Sequence, residues 1–292
     1  MDHNFPLLNT TDIDILAHKE AHFGGHFPTM IEYYSAENVG VMPDFSLKRL
    51  KELYAFEQKE NVNLADETIP DGEKERVSHS KQIYSDLREV YGTKKPNAVA
   101  TLMSDLILTE DEEATKEIGA LVRKGADVVE PLLLLIRSNN FYDPLFPGYG
   151  RTPIFAAKVL QKIGDARAIQ PLFEALGQEN FFTDDAMIEA IASFGEKARK
   201  FLHEVLLSEP LGNDNAHAAM VLTSMDDHPE TATICLSLLQ KEKLPFFAHY
   251  LAFACAGLEN PKDQKTFQDL ASSDRLPADL KSEMKIVINN FS

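Results

Sequence analysis

The sequence predicts an all-α protein: helical hairpins stacked into a solenoid, preceded by an N-terminal helical subdomain. Three observations predict it. Residues 152–177, TPIFAAKVLQKIGDARAIQPLFEALG, hold two apolar stripes at helical spacing. Phe155, Ala156, Val159, Leu160 and Ile163 form the first; Ile169, Leu172, Phe173 and Leu176 form the second. The chemistry between them is that of a tight turn. Gly164 supplies a left-handed residue, Asp165 caps the second helix, Gly177 closes it, and Thr152-Pro153 opens the first. Third, the pattern recurs along the chain at 31 to 33 residues.

Residues 11–23 read as a helix with Ile13, Ile15, Leu16 and Ala17 apolar, ended by Gly24-Gly25. Pro28 opens a second helix through Met30, Ile31, Tyr33 and Tyr34. After Pro43, Ser46 caps SLKRLKELYAFEQKE, whose Leu47, Leu50 and Tyr54 share a face. Residues 57–76 are polar and acidic and read as a loop. The next helix carries Val77, Tyr84 and Tyr91 at intervals of seven with Leu87 between; Gly92 stops it and Pro96 reinforces the break. None of these helices shares the later period. Residues 1–95 are therefore set apart as the N-terminal helical subdomain, and 96–292 as the repeat solenoid.

Residues 98–108, AVATLMSDLIL, read as a buried helix. Thr109 and Glu112 make a capping box for a helix ending at Gly125, and Asp127 and Glu130 make another that opens VVEPLLLLIR. Counting back nine, eight, five, four and one residues from Gly164 returns Phe155, Ala156, Val159, Leu160 and Ile163. The same offsets from Gly195 give Ala186, Met187, Ala190, Ile191 and Phe194. From Asp226 they give His217, Ala218, Val221, Leu222 and Met225, and from Glu259 they give Tyr250, Leu251, Ala254, Cys255 and Leu258. At least eighteen of these twenty positions are apolar. Second helices echo the pattern through Ile234, Cys235 and Leu238, and in shifted form through Ala198, Phe201, Leu202 and Val205. Asn260-Pro261 starts a further helix, and a helix over 277–289 caps the end. Hairpins of this size hide their stripes only by stacking.

The segment IGDARAIQPLFEAL resembles the HEAT-repeat consensus, in the short variant associated with bilin-lyase-like repeats. The resemblance spans residues 110–272, roughly five units, and the last two replace the glycine turn with MDDHPE and LENPKD. It implies a right-handed solenoid whose second helices line a concave surface.

Lys and Arg number 29 against 46 Asp and Glu, a net charge of −17. Such a field repels phosphate backbones and anionic bilayers, so neither nucleic acid nor membrane is an expected partner. The N-terminus lacks a basic region followed by an apolar run, and no stretch is long and apolar enough to span a bilayer. Cys235 and Cys255 fall on apolar helix faces and read as structural thiols of a reducing compartment, which points to the cytoplasm.

Three places hold candidate chemistry. The interval from Gly125 to Gly164 is 39 residues, and the excess is the loop 138–151, with Phe141, Tyr142, Phe146, Tyr149 and Arg151. Insertions in repeat proteins commonly emerge on a binding face. The loop therefore reads either as a docking element or as a cover folded back over a groove between repeats. The second helices offer Glu130, Arg137, Arg167, Gln170, Glu174, Lys197, Lys200, Glu204, Lys262 and Lys265, a mixed face whose basic members suit an acidic peptide or remain simply solvated. Finally, His18 and His22 share a helix side with His26 beyond the glycine pair, candidate metal ligands with Asp12, Asp14 or Glu32 as a third.

The chain has no phosphate loop, no G-x-S-x-G elbow and no C-x-x-C pair. His203-Glu204 is a lone HE pair, so the activity of HEAT-like di-iron hydroxylases does not carry over. The charge argues against a HEAT-like DNA glycosylase, and no cofactor is expected. The expectation is a non-enzymatic scaffold binding a protein or peptide through its concave face and the 138–151 loop. A metal-dependent enzyme using the N-terminal histidines, or a tetrapyrrole- or small-molecule-handling protein, are the alternatives.

Overall fold

The computed structural model describes residues 8–36, 42–92, 98–177 and 181–291, apart from the side chains of Phe181 and Phe182. Pro96 lies outside the described residues. Every regular element among them is helical, seventeen α-helices and four single 3-10 turns. The chain divides into two compact units, Met1–Val159 and Leu160–Ser292.

The first unit begins with α1 (Thr10–His22), α2 (Phe27–Ser35), α3 (Leu47–Glu60), α4 (Leu64–Thr68) and α5 (Asp71–Gly92). Asn9 starts α1 through a reciprocal capping box with Asp12, and Ser46 Oγ accepts the Arg49 amide to start α3. Gly24 and Gly25, at φ +61° and +79°, turn the chain between α1 and α2. α1 packs on α4 and α5, and α2 on α3. Ile15, Leu16, Met30, Leu50 and Leu64 are wholly buried between them.

Two ion pairs are built into this core. Arg49 grips Asp12 with two bonds of 2.7 and 2.8 Å, and Lys19 Nζ donates to Glu57 Oε1 at 2.7 Å and Asn63 Oδ1 at 2.9 Å. The unit continues with α6 (Ala98–Leu108), α7 (Thr115–Val122), α8 (Val129–Arg137) and the start of α9 (Thr152–Ile163), whose last turn falls in the second unit.

Residues 57–76 are not a loop. Asn61 takes a left-handed φ of 51° to end α3, Asn63 caps α4 by accepting the Ala65 amide, and α5 comes at once after it. The acidic residues that suggested a loop, Asp66, Glu67, Asp71 and Glu73, occupy first turns of α4 and α5, where free amides favour negative charge.

The two expected capping boxes are also absent. Thr109 Oγ1 accepts only the Asp111 amide, while Asp111 Oδ1 accepts those of Glu113 and Ala114, so local turn chemistry places the start of α7 at Thr115. Asp127 lies inside the 3-10 turn Gly125–Val128 that runs straight into α8, and α8 has no side-chain cap.

The second unit holds α10 (Ile169–Glu174), α11 (Phe181–Ala192), α12 (Glu196–Leu206), α13 (Asn213–Thr223), α14 (Pro229–Leu239), α15 (Ala248–Ala254), α16 (Pro261–Ser272) and α17 (Ala278–Ile288). α11 packs on α13, α13 on α15 and α15 on α17, while α14 packs on α16. Consecutive helices also meet, as in α12 with α13 and α14 with α15.

The apolar offsets read from sequence sort sharply by burial. Positions eight, five and four before each anchor are all buried: Ala156, Met187, Ala218 and Leu251; Val159, Ala190, Val221 and Ala254; Leu160, Ile191, Leu222 and Cys255. Positions nine and one before it are mostly half-buried, and Tyr250 is 38% exposed. Each stripe therefore has a covered centre and partly open edges. Cys235 and Cys255 are free and buried, and burial pushes the Cys235 thiol up to about 12 and raises that of Cys255, so both are inert. Among the described residues no helix is long and apolar enough to cross a membrane.

Candidate binding groove

α10 is short because Gly177, at φ +77°, turns the chain soon after it; α12 is started by Gly195 at φ +58°. The two helices leave a groove of about 430 Å³ in the second unit. Its α10 wall is Gln170, Phe173 and Glu174. Its α12 wall is Phe201, Glu204 and Val205, spaced i, i+3, i+4 so that one helix edge faces the opening, and Ser208, just past the end of α12, extends it. Leu176, and Asp214 and His217 of α13, complete the lining.

The floor is aromatic: Phe173 and Phe201 stand edge to face with centroids 5.4 Å apart, and the His217 ring lies 6.4 Å from Phe173. Phe173 is 6% exposed, whereas Phe201 and Val205 are half-buried, so apolar surface remains open. Glu174, Glu204 and Asp214 stand exposed around it. Gln170 donates to Glu174 at 2.7 Å, while Glu204 and Asp214 have no ion-pair partner among the described residues.

This places the second-helix candidates. Gln170, Glu174 and Glu204 come together in the groove. Arg167, Lys197 and Lys200 are exposed on the same helices, or on the turn leading into them, but do not line it. Arg167 holds Asp165 at 2.7 Å, and Lys197 adds to the attraction that keeps the Asp165 carboxyl below its ordinary value, behind the hydrogen bonds from Arg167 itself. Lys262 and Lys265 are exposed on α16, and Glu130 and Arg137 on α8 in the first unit. Sequence reasoning took Phe173 and Phe201 for core and missed Asp214 and His217. The signal was present in the shifted stripe of α12, where an aromatic at 201 stands beside an acid at 204.

The 138–151 segment belongs to the core of the first unit. Phe146 is 3% exposed, clusters with the helix core and meets His79 edge to face. The Leu145 carbonyl accepts from His22 Nε2 at 3.0 Å and from buried Ser80 Oγ at 2.8 Å. Arg76 pairs with Asp143, and the Tyr142 hydroxyl donates to the Ile136 carbonyl at 2.7 Å. Phe141 and Tyr142 are half-buried. Tyr149 stacks on His22 at 4.8 Å. Arg151 is half-buried, its guanidinium 6.0 Å from the Tyr149 ring and 5.9 Å from that of Phe155. Phe146 thus has no surface to offer a partner.

His18 and His22 do share a face of α1, with rings stacked at 4.8 Å. Both are held neutral: burial lowers His18 to about 3 and His22 to about 4. The Leu145 carbonyl only accepts, so His22 Nε2 carries its proton and Nδ1 accepts from the Tyr84 hydroxyl at 2.8 Å. The Tyr149 hydroxyl donates in turn toward Tyr84. His22, Tyr84 and Tyr149 line a cavity of about 640 Å³, yet both nitrogens of His22 are spent inside the protein. His26 stands exposed before α2, and no group of three His, Cys, Asp or Glu that could hold a metal occurs among the described residues.

Compared with known proteins, the chain matches no family model and no curated protein.

Proposed function

We propose that this protein is a non-enzymatic scaffold that docks a protein or peptide segment on the open edges of α10 and α12. The observation that carries this reading is the groove itself: an edge-to-face Phe173–Phe201 floor left partly open, ringed by polar side chains on pre-ordered helices. Its volume is that of a ligand cleft, which spans about 300–1,000 Å³. Rigid helices also lower the ordering cost that binding must overcome.

In this reading the second unit is a run of HEAT-like hairpins, a right-handed α-solenoid closed by α17. The alternate packing of α11, α13, α15 and α17 supports it, as does the shared burial register of the four repeats. The two buried, unpaired thiols suit a reducing compartment, and we place its work in the cytoplasm. A photo-crosslinking residue at position 204 is expected to capture a discrete protein in extracts of the source cells, whereas the same residue at position 269 on α16 captures none. Equal capture at both positions, or none at either, overturns the proposal.

A further inference from the structure

We infer that the segment docking in the α10–α12 groove is apolar and basic: an aliphatic or aromatic side chain enters over Phe173 and Phe201, flanked by lysine or arginine. The inference rests on the scaffold reading and goes further by fixing the partner's chemistry. It reverses the expectation of an acidic peptide, because Arg167, Lys197 and Lys200 do not line the groove.

Two independent observations converge. The first is apolar: Phe201 and Val205 are only half-buried beside buried Phe173 and Leu176, so a hydrophobic side chain gains cover there. The second is charge. Among the described residues, every ionised group of fixed sign in the lining is a carboxylate, Glu174, Glu204 and Asp214, and no lysine or arginine lines the groove. Glu204 and Asp214 have no internal cation among the described residues to displace. The chain as a whole carries −17, so a basic segment is also steered toward it. An acidic segment would meet three carboxylates at the rim and desolvate its own charge against phenyl rings.

The test is fluorescence anisotropy of the full chain with labelled synthetic peptides at about 0.15 M salt, where screening acts beyond roughly 8 Å. The probes are a Leu–Lys alternating heptapeptide, its Leu–Glu counterpart and a Ser–Lys counterpart. The Leu–Lys peptide is expected to bind and the other two to bind at least about tenfold more weakly. Glu204→Gln/Asp214→Asn is expected to weaken Leu–Lys binding roughly five- to tenfold. Glu242→Gln/Asp269→Asn, which removes the same charge elsewhere, should leave it unchanged. All four positions are exposed, so folding is not at stake.

Equal weakening by the two double variants assigns binding to the overall field and overturns the inference, as does preference for the Leu–Glu probe. No binding of Leu–Lys overturns it too; if position 204 still crosslinks a partner, the scaffold reading stands and only its chemistry falls.

Discussion

Lys19 Nζ lies 2.7 Å from Glu57 Oε1 with the two side chains 1% and 11% exposed, an ion pair enclosed in the core of the first unit. Asn63 Oδ1 takes a second ammonium hydrogen at 2.9 Å and the Phe27 ring covers the charge at 4.8 Å. Glu57 also accepts the Leu64 amide at 2.9 Å, so one carboxylate ties α1 to the start of α4. Glu20 Oε1 also lies 3.6 Å from the ammonium, but Glu57 is the closer carboxylate, so removing Lys19 or Glu57 takes away the short charge-assisted bond of a largely enclosed site. Lys19→Ala or Glu57→Ala should each cost about 3–5 kcal/mol, whereas Lys19→Met with Glu57→Leu should cost far less. Urea unfolding of the four proteins checks this: additive losses would show that the residues do not act as a pair.

The stacked histidines make the first unit acid-sensitive. Burial holds His18 at about 3 and His22 at about 4, against 6.5 when exposed. Below 6.5 the unfolded chain therefore binds protons that the folded chain refuses. The stability present above 6.5 is lost as pH falls toward 4, by up to about 1.4 kcal/mol per pH unit for each ring. His18→Leu should flatten part of that slope, read as urea midpoints between pH 7 and 4.5. A variant slope equal to wild type would show that His18 takes up its proton freely in the folded state.

The apolar stripes of α9, α11, α13 and α15 were legible because a helix with one covered face must repeat its apolar residues, and the three central offsets are buried in all four helices. The N-terminal half was less legible because polar residues do internal work there. Lys19 and Asp12 are buried by pairing, and Ser80, on an acidic-looking helix, is buried because Leu145 supplies an acceptor. No periodicity announces such partners 37 to 65 residues away. The groove was half legible: Gln170, Glu174 and Glu204 came from the second-helix pattern, but Asp214 sits on a first helix, and Phe173 and Phe201 looked like core because an open edge and a covered centre share one stripe.

The 138–151 segment should behave as core. Phe146 is 3% exposed within the helix core of the first unit and meets His79 of α5, so Phe146→Ala should cost about 3–5 kcal/mol. Phe253 on α15, 42% exposed, should lose under about 1 kcal/mol on the same change. Thermal melts compare them directly, and a tolerated Phe146→Ala would return the loop to the surface.

The turn after α15 should reject even a methyl group. A Cβ built on Gly257 would sit 2.7 Å from the backbone nitrogen of His228, closer than real Cβ atoms approach, and a tight 3.0 Å from its carbonyl carbon and oxygen. The obstacle is backbone, at the entry to α14, and it cannot swing aside as a side chain could. Gly257→Ala must therefore push the turn Cys255–Gly257 away from α14, against which it packs. Overpacking of this kind costs about 1–3 kcal/mol. Gly164→Ala serves as comparison: nothing stands within 4 Å of its Cβ, and only its φ of +71° opposes a side chain. The Gly257 variant should lower the melting temperature more and raise amide exchange in both α14 and α15. Exchange confined to α15 would mean that the turn yields alone and the contact with His228 is not what holds the two helices together.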